Sequence, residues 1–186
     1  RIENMIFWKI EYQQPPAVIR FCKRCKTKTA YVSSGQFRIN ANGKVLDIWL
    51  IYCCRECGQI WKLEVKSRVS LNSIPKALLK QYMENDIRLS FCCAMDVDLL
   101  AQAGVEIGKT QFEVVGEALD FSKEHKITIT SQFPAPVRVS SVLRKKLGWS
   151  SKEFQQAVRE GRLIAQDGRN LRTCKVDKEL VVLYRP

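Results

Sequence analysis

Between Phe37 and Lys66 the apolar positions follow strand patterns. Phe37-Arg38-Ile39-Asn40 leads into Asn42-Gly43, a dipeptide that favours the tight turn of a two-strand hairpin. Val45 to Tyr52 then supplies the β-branched and aromatic residues of a buried strand. Ile60 to Lys66 alternates with period two, which sets Trp61, Leu63 and Val65 on one face and Ile60, Lys62, Glu64 and Lys66 on the other. The period then lengthens. Pro75 is a good first helical position, and Ala77, Leu78, Leu79 and Tyr82 continue a helical stripe. A second helix is predicted over Ile87 to Met95. A third runs from Asp96 as its cap to Ala103, with Gly104 past its end. Gln111 to Gly116 and Lys126 to Thr130 read as strands.

Pro134 and Pro136 mark a linker, after which Val139, Val142, Leu143 and Leu147 share one helical face and leave Arg144 and Lys145 outward. Gly148 stops that helix. Ser150 and Glu153 have the spacing of a capping box, with Trp149 placed to staple onto Phe154. Phe154, Ala157 and Val158 form the next stripe, which Gly161 ends. Short strands are predicted over Arg162 to Ala165, Leu171 to Lys175 and Leu180 to Tyr184, with a turn at Asp167-Gly168.

The chain of 186 residues is long enough to bury a core without covalent staples. Its longest strongly apolar run, Val45 to Cys54, is broken by Asp47 and is too short to span a bilayer as a helix. The start, Arg1-Ile2-Glu3-Asn4, lacks the pattern of a secretory signal, and the missing initiator Met points to a trimmed chain. The expectation is a soluble, cytoplasmic protein with no membrane partner. Thirty-one Lys and Arg against nineteen Asp and Glu give a net charge of +12. The excess lies in residues 1–70 and 134–186, with an acidic stretch between them. That distribution suits a polyanionic partner, nucleic acid first.

Eight cysteines carry the most specific signal. Cys22-Lys23-Arg24-Cys25 and Cys54-Arg55-Glu56-Cys57 form a C-x2-C-x28-C-x2-C array. A two-residue spacer lets one backbone turn aim both sulfurs at one tetrahedral metal, and two such turns complete its coordination. Structural Zn2+ held by Cys22, Cys25, Cys54 and Cys57 is therefore expected. Cys53 is an alternative to Cys54, and spacing alone does not choose between them. A disulfide framework belongs to small secreted chains, and a lone redox pair would not be duplicated. Gly58 suits the turn after the second pair, whereas Lys26 stands at the matching place after the first. Lys23, Arg24, Lys26 and Arg55 would offset the formal −2 of four thiolates on Zn2+.

Catalytic motifs are missing. Gly104 to Thr110 resembles a phosphate-binding loop, but it has three residues between its glycines instead of four. It also follows a helix and precedes a strand, the reverse of the order that places phosphate on a helix N-terminus. His125, the single histidine, sits in a charged stretch and reads as a solvated loop residue. Cys92 and Cys93 read as small buried hydrophobes on a helix. A non-enzymatic protein is expected.

Two resemblances add to this reading. Arg138, Leu143, the stretch Glu153 to Arg162, Asp167-Gly168 and Val181-Val182 resemble the αL RNA-binding domain of small-subunit ribosomal protein four. This implies a C-terminal module whose Arg138, Arg144, Lys145, Lys152, Arg159 and Arg162 meet structured RNA, either ribosomal RNA or tRNA. Ser151 stands where that domain has an arginine. The front half, with Arg20-Phe21-Cys22, Ser34 to Gly43 and Leu46 to Tyr52, resembles an uncharacterised bacterial family, domain of unknown function 1062.

The expected fold class is α+β in three parts. These are a zinc-ribbon-like domain over 1–70, a helical and mixed middle segment over 71–133, and an αL-type RNA-binding module over 134–186. The expected function is RNA binding with zinc as a structural element. The alternatives are a DNA-binding regulator that uses the cysteine turns, and a protein–protein adaptor. Oligomeric state is not legible in the sequence.

Overall fold

The computed structural model describes residues 4–186, so the chain's opening residues Arg1 to Glu3 lie outside the described residues. The described chain divides into two compact units: residues 14–110, and a discontinuous unit formed by 4–13 with 111–186.

The described chain is mostly β. Its strands are β1 (Asn4–Gln14), β2 (Val18–Cys22), β3 (Thr27–Asn42), β4 (Val45–Cys54), β5 (Ile60–Ser70), β6 (Glu106–Ile107), β7 (Gln111–Gly116), β8 (His125–Thr130), β9 (Leu163–Ala165) and β10 (Glu179–Tyr184). The α-helices are α1 (Lys76–Met83), α2 (Ile87–Met95), α3 (Val97–Ala103), α4 (Val139–Leu147) and α5 (Ser151–Arg159).

In the 14–110 unit a sheet of order β5-β4-β3-β2-β6 is antiparallel at its β5-β4, β4-β3, β3-β2 and β2-β6 pairings. Alternation along β4 buries Leu46, Ile48, Leu50, Tyr52 and Cys54 on one face. Ile74, Tyr82, Cys93, Ala94 and Leu100, from the three helices and the turn before them, close over the same core. The long β3–β4 hairpin turns at Gly43, at φ +64°. Register shifts interrupt the β3-β4 and β4-β5 ladders, and two backbone donors beside them find side chains. Asn85 Oδ1 accepts from Phe37 N–H at 2.7 Å, and Asp47 Oδ1 accepts from Arg68 N–H at 2.7 Å.

The other unit has the sheet order β7-β1-β8-β10-β9. β1 pairs in parallel with β8, from Asn4 opposite His125 to Lys9 opposite Thr130, and β10 runs antiparallel to β8. Ile6, Trp8 and Ile10 of β1, Ile127 and Ile129 of β8, and Leu180, Val182 and Tyr184 of β10 are buried. Buried residues of α4 and α5, namely Val139, Val142, Leu143, Phe154 and Ala157, complete this unit's core. β7 passes β1 so closely that a Cβ on Gly116 would lie 2.3 Å from the Phe7 carbonyl oxygen. Only glycine fits there.

These sheets correct the expected α+β arrangement. The three middle helices form no segment of their own, because they cover the β5-β4-β3-β2-β6 sheet. Residues 134–186 form no αL-type module, because β9 and β10 finish a sheet whose other strands are β1, β7 and β8. The strand expected over Leu171 to Lys175 is a turn with one bridge, Arg138 to Lys175. The signal that escaped is long-range pairing: strands about 120 residues apart leave no local trace of their partnership.

Candidate metal centre

Two hairpins carry the cysteine pairs on their tips. β2 ends at Cys22 and β3 begins at Thr27, while β4 ends at Cys54 and β5 begins at Ile60. Each tip is closed by a backbone bond back to its first cysteine. Lys26 N–H donates to Cys22 O at 2.7 Å, and Gly58 N–H donates to Cys54 O at 2.9 Å. The second tip is also tied to the first hairpin, because Arg55 N–H donates to Ala30 O at 2.8 Å and Tyr31 is registered opposite Cys54.

The result is a cluster of four sulfurs, all within 4.8 Å of one another. Cys22 Sγ lies 3.5 Å from Cys57 Sγ, and Cys25 Sγ lies 3.9 Å from Cys54 Sγ. Four ligands at 2.3 Å on a tetrahedral ion would be about 3.8 Å apart, so the spacing suits one metal ion. Cys22 and Cys54 are buried, and Cys25 and Cys57 are half-buried. The strand pleat settles the choice between adjacent cysteines. Cys54 points inward with the β4 core face and joins the cluster, and Cys53 points to the opposite face.

As free thiols the four are unequal. Hydrogen bonds from the Tyr31 hydroxyl, then from the Cys25 backbone N–H, pull Cys22 down to about 6. Hydrogen bonding with Cys57, together with burial, pushes Cys25 up to about 12. Burial and its bond to Cys22 likewise raise the Tyr31 phenol to about 12. Thr29 Oγ1 stands 3.1 Å from Cys54 Sγ. Thr29 and Tyr31 were missed as site residues, although they lie two apart on the strand that follows the first pair.

The turn cations surround the cluster. Lys23, Arg24, Lys26 and Arg55 are exposed, and Arg24 reaches across to donate to Cys57 O at 3.2 Å. Arg20 lies 5.3 Å from the ring centroids of both Tyr31 and Trp61.

A family profile described as a protein of unknown function (DUF1062) matches residues 39–169, well over half of the chain. The chain belongs to the DUF1062 family. The matched stretch begins inside β3 and includes Cys54 and Cys57 of the cluster. No curated protein and no solved structure matches the chain.

The basic residues expected to meet RNA are placed unevenly in this DUF1062 member. Arg138 precedes α4 and Lys152 lies on α5, both exposed and with no side-chain partner among the described residues. Arg144 is exposed and directs Nε to Trp149 O at 3.5 Å, and exposed Arg159 donates to Gln156 at 2.8 Å. Lys145 is tied down: its Nζ bonds Phe112 O at 2.5 Å and Glu113 at 3.1 Å, and lies over the Phe112 ring. Arg162 is paired with Glu160 at 3.0 Å.

His125 is 5% exposed at the start of β8, with Nε2 bonded to Asp120 O at 2.9 Å. The expectation of a solvated loop residue fails because His125 takes the inward phase of the Ile127 and Ile129 alternation. Cys93 is buried and Cys92 half-buried. Among the described residues, no helix is long and apolar enough to cross a membrane.

Proposed function

We propose that the four-cysteine cluster holds one structural Zn2+ and that the chain is a non-enzymatic protein that binds structured RNA, ribosomal RNA or tRNA. The tetrahedral spacing of the four sulfurs carries the first half of this reading. An all-thiolate set selects zinc or iron, and with no open position it builds rather than catalyses. Such an ion ties two hairpins together and leaves their cationic turns exposed. Charge supports the second half. Residues 14–110 hold fifteen basic against eight acidic side chains, and Arg138, Arg144, Lys152 and Arg159 stand exposed around α4 and α5.

Lys23, Lys26 and Arg55, whose side chains are exposed and have no partner among the described residues, also favour a second reading, duplex DNA held by the cysteine turns. A salt series against an RNA hairpin and a DNA duplex separates the two. Each neutralised phosphate contributes a log–log slope of about −0.7 to −0.9. RNA preference, with weaker binding and a flatter slope in an Arg138→Glu/Arg144→Glu variant, is the expected result. DNA preference that Lys23→Glu/Arg55→Glu abolishes would replace it, and no salt-sensitive binding to either would remove both.

A further inference from the structure

The discontinuous unit contains an aromatic corner that the metal centre and the cation distribution leave unexplained. A cavity of about 580 Å3 opens between Phe121, Trp149 and Tyr184 on one side and the Lys152, Gln156 and Arg162 side chains on the other. That volume lies within the ordinary range of small-molecule sites.

Its wall is flat and held in place. The Phe121 and Trp149 rings stack at 5.8 Å with 24° between their planes, and Tyr184 crosses Phe121 at 79°. Tyr184 is buried and fixes the segment by donating its hydroxyl to Phe121 O at 3.0 Å. Phe121 is nevertheless 45% exposed, and Trp149 is only half-buried. Phe121 thus keeps exposed ring surface beside a support that Tyr184 holds in place.

The rim is cationic. The Arg162 guanidinium sits 5.9 Å from the Trp149 centroid, and Glu160 holds its Nε, so its terminal nitrogens are oriented in advance. Lys152 has no hydrogen bond or ion pair among the described residues. The acid on the rim, Glu153, is already committed: one of its oxygens accepts from Ser150 N–H at 2.6 Å in the helix cap.

We propose that this corner is a nucleotide site, which stacks a base on the exposed Phe121 ring beside Trp149 and receives its phosphate on Lys152 and Arg162. A nucleotide carries both a planar π-face and an adjacent anion, which are the two features the lining supplies. Stacking on aromatic side chains accepts any base, and cations track the backbone. The inference rests on the RNA reading and deepens it by naming an unpaired nucleotide as the element recognised, although a free mononucleotide presents the same chemistry.

The test uses the full zinc-loaded chain and calorimetric titration with adenosine monophosphate, adenosine, ribose 5-phosphate, a single-stranded hexa-adenylate and a blunt, fully paired RNA duplex. Adenosine monophosphate and the hexamer are expected to bind, and the two half-ligands to bind at least tenfold more weakly. Phe121→Ala and Lys152→Gln alter exposed side chains and should keep the fold, as thermal melts would check. Each should raise the dissociation constant at least fivefold, the low end of what one base stack contributes. Binding of the mononucleotide without either RNA keeps the site and removes the RNA reading. Binding of the duplex alone, unchanged in both variants, keeps the RNA reading and overturns the site. No binding by any of the five overturns both.

Discussion

Lys26 and Gly58 share one left-handed backbone conformation, each standing one residue past a cysteine pair, at φ +58° and +77°. Both close the turn that aims two thiols at one point, yet only one is a residue suited to it. A Cβ on Gly58 would meet nothing within 4 Å, so substitution there costs conformation and not space. Gly58→Ala should lower stability by about 1 kcal/mol. Lys26→Gly removes the same strain but loosens the unfolded chain, so its net gain should stay below about 1 kcal/mol. Thermal melts of the metal-loaded variants measure both.

Metal content separates the adjacent cysteines. Cys54→Ser should lose the ion, and Cys53→Ser should retain one equivalent, because only Cys54 reaches the cluster. Mass spectrometry under native conditions reads the difference directly. A chelator should loosen the 14–110 unit in the wild type, since thiolate ligation couples binding to folding. Retention of metal by the Cys54 variant would move the ligand elsewhere.

Alkaline pH should unfold the 14–110 unit before the other. Burial raises the Cys93 thiol to about 12, and burial with the nearby Cys93 charge raises the Tyr82 phenol to about 12 and pushes Tyr52 up as well. Groups held neutral in the fold stabilise it fully below their unfolded values, roughly 8.5 for a thiol and 10 for a phenol. That contribution drains away as pH rises from there towards 12. Hydrogen exchange or melts between pH 7 and 11 should show the loss. Cys93→Ala should be less stable at pH 7 but show a shallower decline.

The Tyr52 hydroxyl is buried without a hydrogen-bond partner among the described residues. Removing an unmatched donor relieves its desolvation, so Tyr52→Phe should be neutral or stabilising by up to about 1 kcal/mol in chemical denaturation. A loss beyond that range would mean the hydroxyl has a partner in solution.

Gly116→Ala tests the close passage of β7 over β1. The added methyl meets a backbone oxygen at 2.3 Å, and backbone does not step aside as a side-chain tip can. Destabilisation of at least ~2 kcal/mol is expected. The metal centre, which lies wholly within the other unit, should keep its ion.

Local chemistry was legible wherever neighbours in sequence decide the outcome. The capping box at Ser150 and Glu153 forms with both of its bonds, and Asp96 caps α3 through its side chain as its position suggested. The cysteine spacing found the cluster because turn geometry depends on five residues. His125 was misread because the charges on either side of it conceal an inward strand position. The sheets were misread because hydrophobic alternation marks a strand without naming its partner, so β10 looked like the edge of a small module. The aromatic corner assembles from residues 121, 149 and 184, and no motif links them.

The parallel pairing of β1 with β8 sets a timetable for the growing chain. Every strand partner of the 14–110 unit is translated within that stretch, whereas β1 must wait about 120 residues for its neighbour. At roughly 5–20 residues per second the wait is on the order of ten seconds. Until β7 and β8 emerge, Met5, Ile6, Phe7, Trp8 and Ile10 form a sticky strand whose sheet neighbours have not yet been made. On the ribosome, β1 is therefore a segment that needs shielding, because it is made long before the strand it pairs with in parallel.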